Sequence, residues 1–224
     1  MVFPNASEKS ANMLVTQDIS YFENLKQLID YEPVDREDVA MRGMMASLGM
    51  VKGAPFEPDE RMQSILNRAA DVAWKMATAQ RYERRIPGTR RYEDRQYDEG
   101  FIGGSEVFEG DTCLNLDARI AFFRFAYSSS PGMVVDMAGR GSKYPLTFKD
   151  ADGNFLMGEN SYRLHLPKGI PAENFWAVTL YGAPPSNYIG TNEGEGFFVI
   201  LRLYSPGQAY FDKTWRPDDV VKIK

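Results

Sequence analysis

His165 is the only histidine and Cys113 the only cysteine in this chain of 224 residues. Those two counts bound the chemistry before any fold is considered. A multi-histidine or cysteine-based metal site has too few ligands, and no intrachain disulfide can form. A Ser-His-Asp triad would have to be built around His165. The serines at hand, Ser128, Ser129 and Ser130, lack a G-x-S-x-G elbow, and Gly103-Gly104-Ser105-Glu106 does not supply one. His165 alternates with apolar Leu164 and Leu166 and shares a polar strand face with Arg163, so a structural or surface role is expected of it.

Three other patterns hint at ligands. Asp150, Asp152 and Asn154 have the alternating spacing that opens a calcium loop, but Ser161 and Tyr162 stand where the distal glutamate belongs. A plain Asp-Gly turn is the expected reading. Gly139-Arg140-Gly141-Ser142-Lys143 resembles a phosphate-cradling loop without the preceding strand or the full Walker spacing, and reads as a loop at a helix end. The third pattern joins aromatic rings to charge: Tyr144, Arg163, His165, Trp176, Tyr181, Asp212, Trp215 and Arg216 are candidate ligand-binding residues. Aromatic faces beside Arg or Asp can stack on a sugar or an aromatic ligand and bond its hydroxyls. The plainer account makes Trp176 and Tyr181 core residues and Trp215 a cover over the end of the sheet.

Positioning these residues falls to helices first and strands later. Ser20 and Glu23 have capping-box spacing before Phe22, Leu25, Leu28 and Ile29, which predicts a helix to about Tyr31, stopped by Pro33. A second helix is expected from about Asp35 through Val39, Met41, Met44, Met45 and Leu48, its methionines packing adaptably in a core. Asp59 should cap the longest one, with Met62, Ile65, Leu66, Ala69, Val72, Ala73, Met76 and Ala77 on its apolar face and Trp74 off it. Between Asn115 and Phe125 another helix should turn Leu116, Ile120 and Phe123 inward, and a short one should follow Pro131. From Tyr144 the period changes to that of strands. Phe175 to Tyr181 and Phe197 to Tyr204 are continuous apolar runs, as in central strands covered on both faces, and Gly182 to Gly196 between them is a loop.

Composition sets the remaining bounds. Hydrophobic residues make up 43% and charged residues 25%, as in globular proteins, with 14 Phe, 12 Tyr and 3 Trp in runs that suit sheets. A net charge of -5 argues against nucleic acid or an anionic membrane as partner. The arginines from Arg81 to Arg95 are interleaved with Glu83, Glu93, Asp94, Asp98 and Glu99, which predicts a solvated, ion-paired connection rather than a phosphate-binding patch. The N-terminus lacks a signal-peptide pattern and no apolar stretch approaches transmembrane length, so a cytoplasmic location is expected.

Several blocks of the sequence, taken together, resemble a family. They are Tyr92 to Tyr97, Cys113 to Arg119, Asp150 to Asn154, Tyr162 to Pro167, Phe175 to Tyr181, Phe198 to Tyr204 and Phe211 to Pro217. In order and spacing they are similar to the bacterial domain-of-unknown-function family 1214. The resemblance implies a helical stretch leading into an antiparallel β-sandwich. It also implies a companion β domain, of family 1254, on the N-terminal side, for which this sequence has no counterpart, and a longer insert between Tyr181 and Phe197 than the short loop seen here. No activity comes with it.

The reading reached is an α+β protein. A mostly helical region, 1–143, precedes a reduced, jelly-roll-like antiparallel β-sandwich, 144–224, in one folding unit. Its expected function is that of a non-catalytic binding or assembly module, with no cofactor, no metal, no assigned catalytic residue and a possible small-molecule ligand. The alternative is a hydrolase acting on a small organic or sugar substrate through carboxylates such as Asp117 or Asp212. Loss of a companion domain and of the insert should uncover an edge or an apolar patch, so a homo-oligomer is expected.

Overall fold

The computed structural model describes residues 15–124, 126, 128–182 and 189–223. Two compact units divide the chain, Met1–Lys75 and Met76–Lys224, a division far earlier than the change of period near 143. The boundary falls inside one helix.

The first unit is helical: α1 (Ser20–Tyr31), α2 (Val39–Ala46) and the first four turns of α3 (Glu60–Tyr82). Phe22, Ile29, Met50, Leu66 and Ala70 form its core, with Met45, Leu48 and Phe56 against them. Asp59 caps α3 as its position predicts, accepting from the Met62 N–H at 2.7 Å. Ser20 does not cap α1; its own N–H and hydroxyl donate to Asp18 instead. The last carbonyls of α1 are met by cations, Lys52 on Glu32 O at 2.9 Å and Arg42 on Ile29 O at 3.1 Å, which serves the unpaired end of the helix. The methionine stripe of α2 is a correction: Met41 and Met44 are exposed and only Met45 packs on the core, because a helix of two turns presents a single narrow face. Along α3 the buried line is Leu66, Ala70 and Ala77, with Trp74 half-buried on it, while Ile65, Val72 and Met76 are exposed. Apolar residues on two faces made the register ambiguous.

The second unit holds α4 (Leu116–Phe123), α5 (Pro131–Val134), α6 (Gln208–Phe211) and six strands. These are β1 (Ser142–Lys143), β2 (Leu146–Thr147), β3 (Tyr162–Arg163), β4 (Ala172–Gly182), β5 (Phe197–Pro206) and β6 (Val221–Lys222). The class is α+β, as expected. The described strands make one four-stranded antiparallel sheet and a separate β3-β6 ribbon where the sequence suggested a sandwich. β5 is central: β1 and β2 pair along one edge, and β4 along the other from Ala172 opposite Pro206 to Gly182 opposite Phe197. One face of β5 is covered by Leu166, Ile170, Tyr210 and Trp215 around Leu201 and Leu203; Leu146, Phe148 and Phe198 pack on the other.

Two helical and strand assignments are overturned. Leu116, Ile120 and Phe123 of α4 are exposed by 40% or more, and Ala118, Ala121 and Phe122 face Ile86, Ile102 and Phe108. Small alanines let the helix lie closer to its neighbours than the bulkier face would. β4 is an edge strand with Phe175, Trp176, Val178 and Leu180 half-exposed, so its apolar run does not mark burial on both faces.

Tyr82, at the end of α3, stacks on Phe148 with ring centroids 4.3 Å apart, yet its buried hydroxyl has no hydrogen-bond partner among the described residues. Burial raises its pKa from 10.0 to about 12, with Arg124 and Arg81 pulling the other way. An unsatisfied buried hydroxyl costs about 1–3 kcal/mol, so Tyr82→Phe should leave stability at pH 7 unchanged or raise it by about 1 kcal/mol. Above pH 10 the unfolded chain ionises Tyr82 while the folded one does not, so wild-type stability falls between pH 10 and 12 by about 1.4 kcal/mol per unit from this group. The phenylalanine variant lacks that term. Urea unfolding at pH 7 and pH 11 checks both halves, and an equal loss in the two proteins on going to pH 11 would refute the second.

Candidate functional site

The arginine-rich stretch is solvated only in part: Glu83, Arg85, Arg90, Glu93 and Asp94 are exposed, whereas other members fold inward. Arg81 and Arg91 are buried, and residues 89–99 fold into a narrow ribbon in which Arg91 N–H donates to Tyr97 O at 3.0 Å and Glu99 N–H to Thr89 O at 2.7 Å. Asp98 joins this ribbon to β2, exchanging backbone bonds with Leu146 at 2.7 and 3.2 Å. Its carboxylate, almost fully buried, accepts from Arg84 Nε at 2.7 Å; burial raises its pKa, against the pull of Arg81 and Arg84. The ion pairing expected of the segment is therefore present, but turned inward.

Arg91 is the centre of the arrangement. Its Cζ lies 3.7 Å from the ring centroid of Tyr210 and 5.2 Å from that of Tyr92, which are cation–π distances. Nη2 donates to Tyr210 O at 2.7 Å and Nη1 to the Glu99 carboxylate. Burial alone would lower the pKa of this guanidinium, but Tyr210, Glu99 and Tyr92 more than offset it, so Arg91 stays charged. Among the described residues its buried Nε meets no partner with hydrogen-bond geometry.

A cavity of about 160 Å³ opens beside it. Residues from the 89–104 stretch, Arg91, Glu99, Phe101, Gly103 and Gly104, line it together with Met133, Val134, Asp136 and Lys143. Lys143 is as buried as Arg91: Nζ donates to Val134 O, at the end of α5, and lies 2.7 Å from Asp136 Oδ1. Thus two cations held by backbone carbonyls face one cavity. Each has a carboxylate neighbour, Glu99 or Asp136, that is nearer solvent than the cation itself.

Gly141 makes the Lys143 side possible. It has φ +67°, and a Cβ built there would lie 2.1 Å from Gly132 O in α5. The glycine-rich loop noted in the sequence therefore packs a backbone turn against a helix and delivers Lys143 to the cavity.

None of the eight residues singled out from the sequence lines this cavity. Tyr144 bonds Ser142 Oγ through its hydroxyl at 2.6 Å and packs beside Leu146 and Phe148. Arg163 is exposed on β3. His165 Nδ1 meets Asp218 Oδ2 at 2.6 Å on the surface, the histidine side chain 68% exposed. Trp176 is half-exposed on β4; Tyr181 stacks on Phe198 and its hydroxyl accepts from Arg202. Asp212 accepts from Gln208 at 2.7 Å on α6. Trp215 is buried, its indole N–H on Pro167 O at 3.2 Å, and Arg216 pairs with Asp94 at 2.8 Å. The eight are spread over the sheet and its C-terminal cover. Asp150, read from the sequence as part of a plain turn rather than a calcium loop, spends one carboxylate oxygen on the N–H groups of Asp152 and Asn154, as in a side-chain-closed turn.

Family comparison bears on one member of this arrangement, Lys143. Residues 141–186 match the family described as "Protein of unknown function (DUF1214)". The resemblance seen in the sequence holds over that segment. The matched segment runs from β1 through β4 and includes Lys143, Tyr144, Arg163, His165, Trp176 and Tyr181, while Arg91, Glu99 and Asp136 lie before it. No curated protein matches the chain. Among solved structures the VPA0106 protein from Vibrio parahaemolyticus is similar at 14% identity and a TM-score of 0.46, with all of this chain aligned to 58% of that one. This chain thus spans under two thirds of that neighbour's length.

Gly141→Ala tests the close approach. Gly153 has φ +84° with open space around its Cβ position, so Gly153→Ala carries backbone strain alone, about 1 kcal/mol. Gly141→Ala adds a clash with a backbone carbonyl and should cost at least about 2 kcal/mol more. Parallel urea denaturation of the two variants measures the difference; equal losses would show that α5 yields freely.

Proposed function

We propose that this protein is a non-catalytic binding module that takes a small polar molecule in the cavity between Arg91 and Lys143. The observation that carries the reading is the pair of buried cations, each fixed by a backbone carbonyl, on the walls of one cavity. Burying an ion is costly, and a fold that fixes two of them beside open space has prepared donors at little further ordering cost. Size narrows the ligand. Drug-sized or sugar-like ligands occupy pockets of about 300–1,000 Å³, and this one is about 160 Å³. Neither carboxylate named for the hydrolase alternative lines this cavity: Asp117 accepts from Gln80 and Asp212 from Gln208, both on exposed surface.

Assembly is a second reading, favoured by β4. From Asn174 to Gly182 this edge strand has no charged residue, and Trp176, Val178 and Leu180 stand half-exposed on one face. Two copies pairing β4 antiparallel about a two-fold axis, along the part before the Gly190 bond to Leu180, would place uncharged residues opposite each other.

Amide chemical shifts test the first reading. Sodium acetate, sodium phosphate or glycine, titrated to tens of millimolar, should move the Gly103, Gly104, Val134 and Asp136 amides along saturable curves, and shifts absent for all three would remove it. Light scattering tests the second at tens of micromolar protein: a dimer mass is expected, and 25.4 kDa would refute it.

A further inference from the structure

The cavity between Arg91 and Lys143 carries its own statement about which small molecules fit, and the following rests on the binding reading above. Four ionised side chains line it, Arg91, Lys143, Glu99 and Asp136, and their formal charges cancel. They are layered rather than mixed. The Arg91 and Lys143 side chains are 7% and 9% exposed, whereas those of Glu99 and Asp136 are 31% and 75% exposed. The cations are also the immobile members, one clamped on the Tyr210 ring and carbonyl and the other on Val134 O. A carboxylate that gives up its cation can swing toward solvent; the cations have nowhere to go.

A simple anion entering this cavity would reach the cations only by loosening Glu99 and Asp136, and it would leave three negative groups against two positive ones. A simple cation would pair with the outer carboxylates while facing Arg91 and Lys143 behind them. Either leaves one uncompensated charge in a confined site, which low local polarity penalises. A molecule with a carboxylate at one end and an ammonium close by satisfies both layers and keeps the sum at zero. Phe101, Met133 and Val134 add apolar wall for a small side chain. At about 160 Å³ the cavity is about half the smallest pockets that hold drug-sized ligands, which favours the smallest amino acids such as glycine and alanine.

We infer that the cavity is a site for the smallest zwitterionic amino acids, with Arg91 and Lys143 receiving the carboxylate and Glu99 and Asp136 the ammonium group. Calorimetric or chemical-shift titrations with glycine, alanine, acetate and methylammonium decide it on the full chain. Glycine or alanine should bind at least about ten-fold more tightly than acetate or methylammonium. Asp136→Asn, at an exposed position whose fold is checked by circular dichroism, removes one ammonium partner and leaves the cavity net positive. It should weaken glycine several-fold and strengthen acetate. Acetate binding as tightly as glycine to the wild type, or an Asp136→Asn protein with the wild-type preference, overturns the amino-acid assignment while leaving the binding reading in place. No binding of any of the four overturns both.

Discussion

A buried guanidinium has to be answered at every nitrogen or offset by a nearby charge, and the second unit is arranged around that demand. Arg91 receives the face and carbonyl of Tyr210, 119 residues further along the chain, and the carboxylate of Glu99 on its own ribbon. Breaking one partner of such a buried pair costs about 3–5 kcal/mol, comparable to a large share of a domain's stability. The position of the 89–99 ribbon and of α6 are therefore tied to one side chain. Asp98 plays the complementary part, a buried carboxylate with Arg84 at its side and β2 at its backbone.

The sheet supplies the frame in which that demand can be met. β5 is hydrogen-bonded along both edges, and α6 follows it directly, so Tyr210 and Trp215 fold back over Leu201 and Leu203. On the opposite edge, β1 carries Lys143 toward α5 and β2 receives the ribbon that carries Arg91. The cavity is lined by Lys143 of β1, and Arg91 reaches it from the ribbon that Asp98 joins to β2. Its cations come from separate parts of the sequence and meet because both strands pair with one partner.

Local rules made the helices and the long strands legible. Asp59 before an apolar repeat, Asn115 before α4, Pro131 at the start of α5 and the runs of β4 and β5 each announced an element by chemistry within a few residues. Inward faces were harder to read. In α4 the bulky Leu116, Ile120 and Phe123 drew the assignment, whereas packing used Ala118 and Ala121, because close approach rewards small residues that a hydrophobicity count undervalues. The site was out of reach for another reason. Arg91 and Lys143 are 52 positions apart, and the interleaved acids around Arg91 look the same whether the segment is solvated or folded inward. The aromatic set around Trp176 and Trp215 was chosen by residue type alone, and type does not say which tertiary neighbour a ring will find. The one usable signal was the glycine pair beside Lys143, which marked a tight backbone turn without revealing what it packs against.

β4 keeps one edge on β5 and turns the other outward, where Leu180 O accepts from Gly190 N–H at 3.0 Å. Residues of the same parity as Leu180, Val178 and Trp176 among them, point their amides away from the sheet, and the alternate residues bond to β5. The strand thus carries two populations of amide protons interleaved at every second position. In deuterated solvent it would record a rhythm of fast and slow exchange along a single segment, with the slow set reporting the opening of β5 and the fast set reporting only whatever lies against the outer edge.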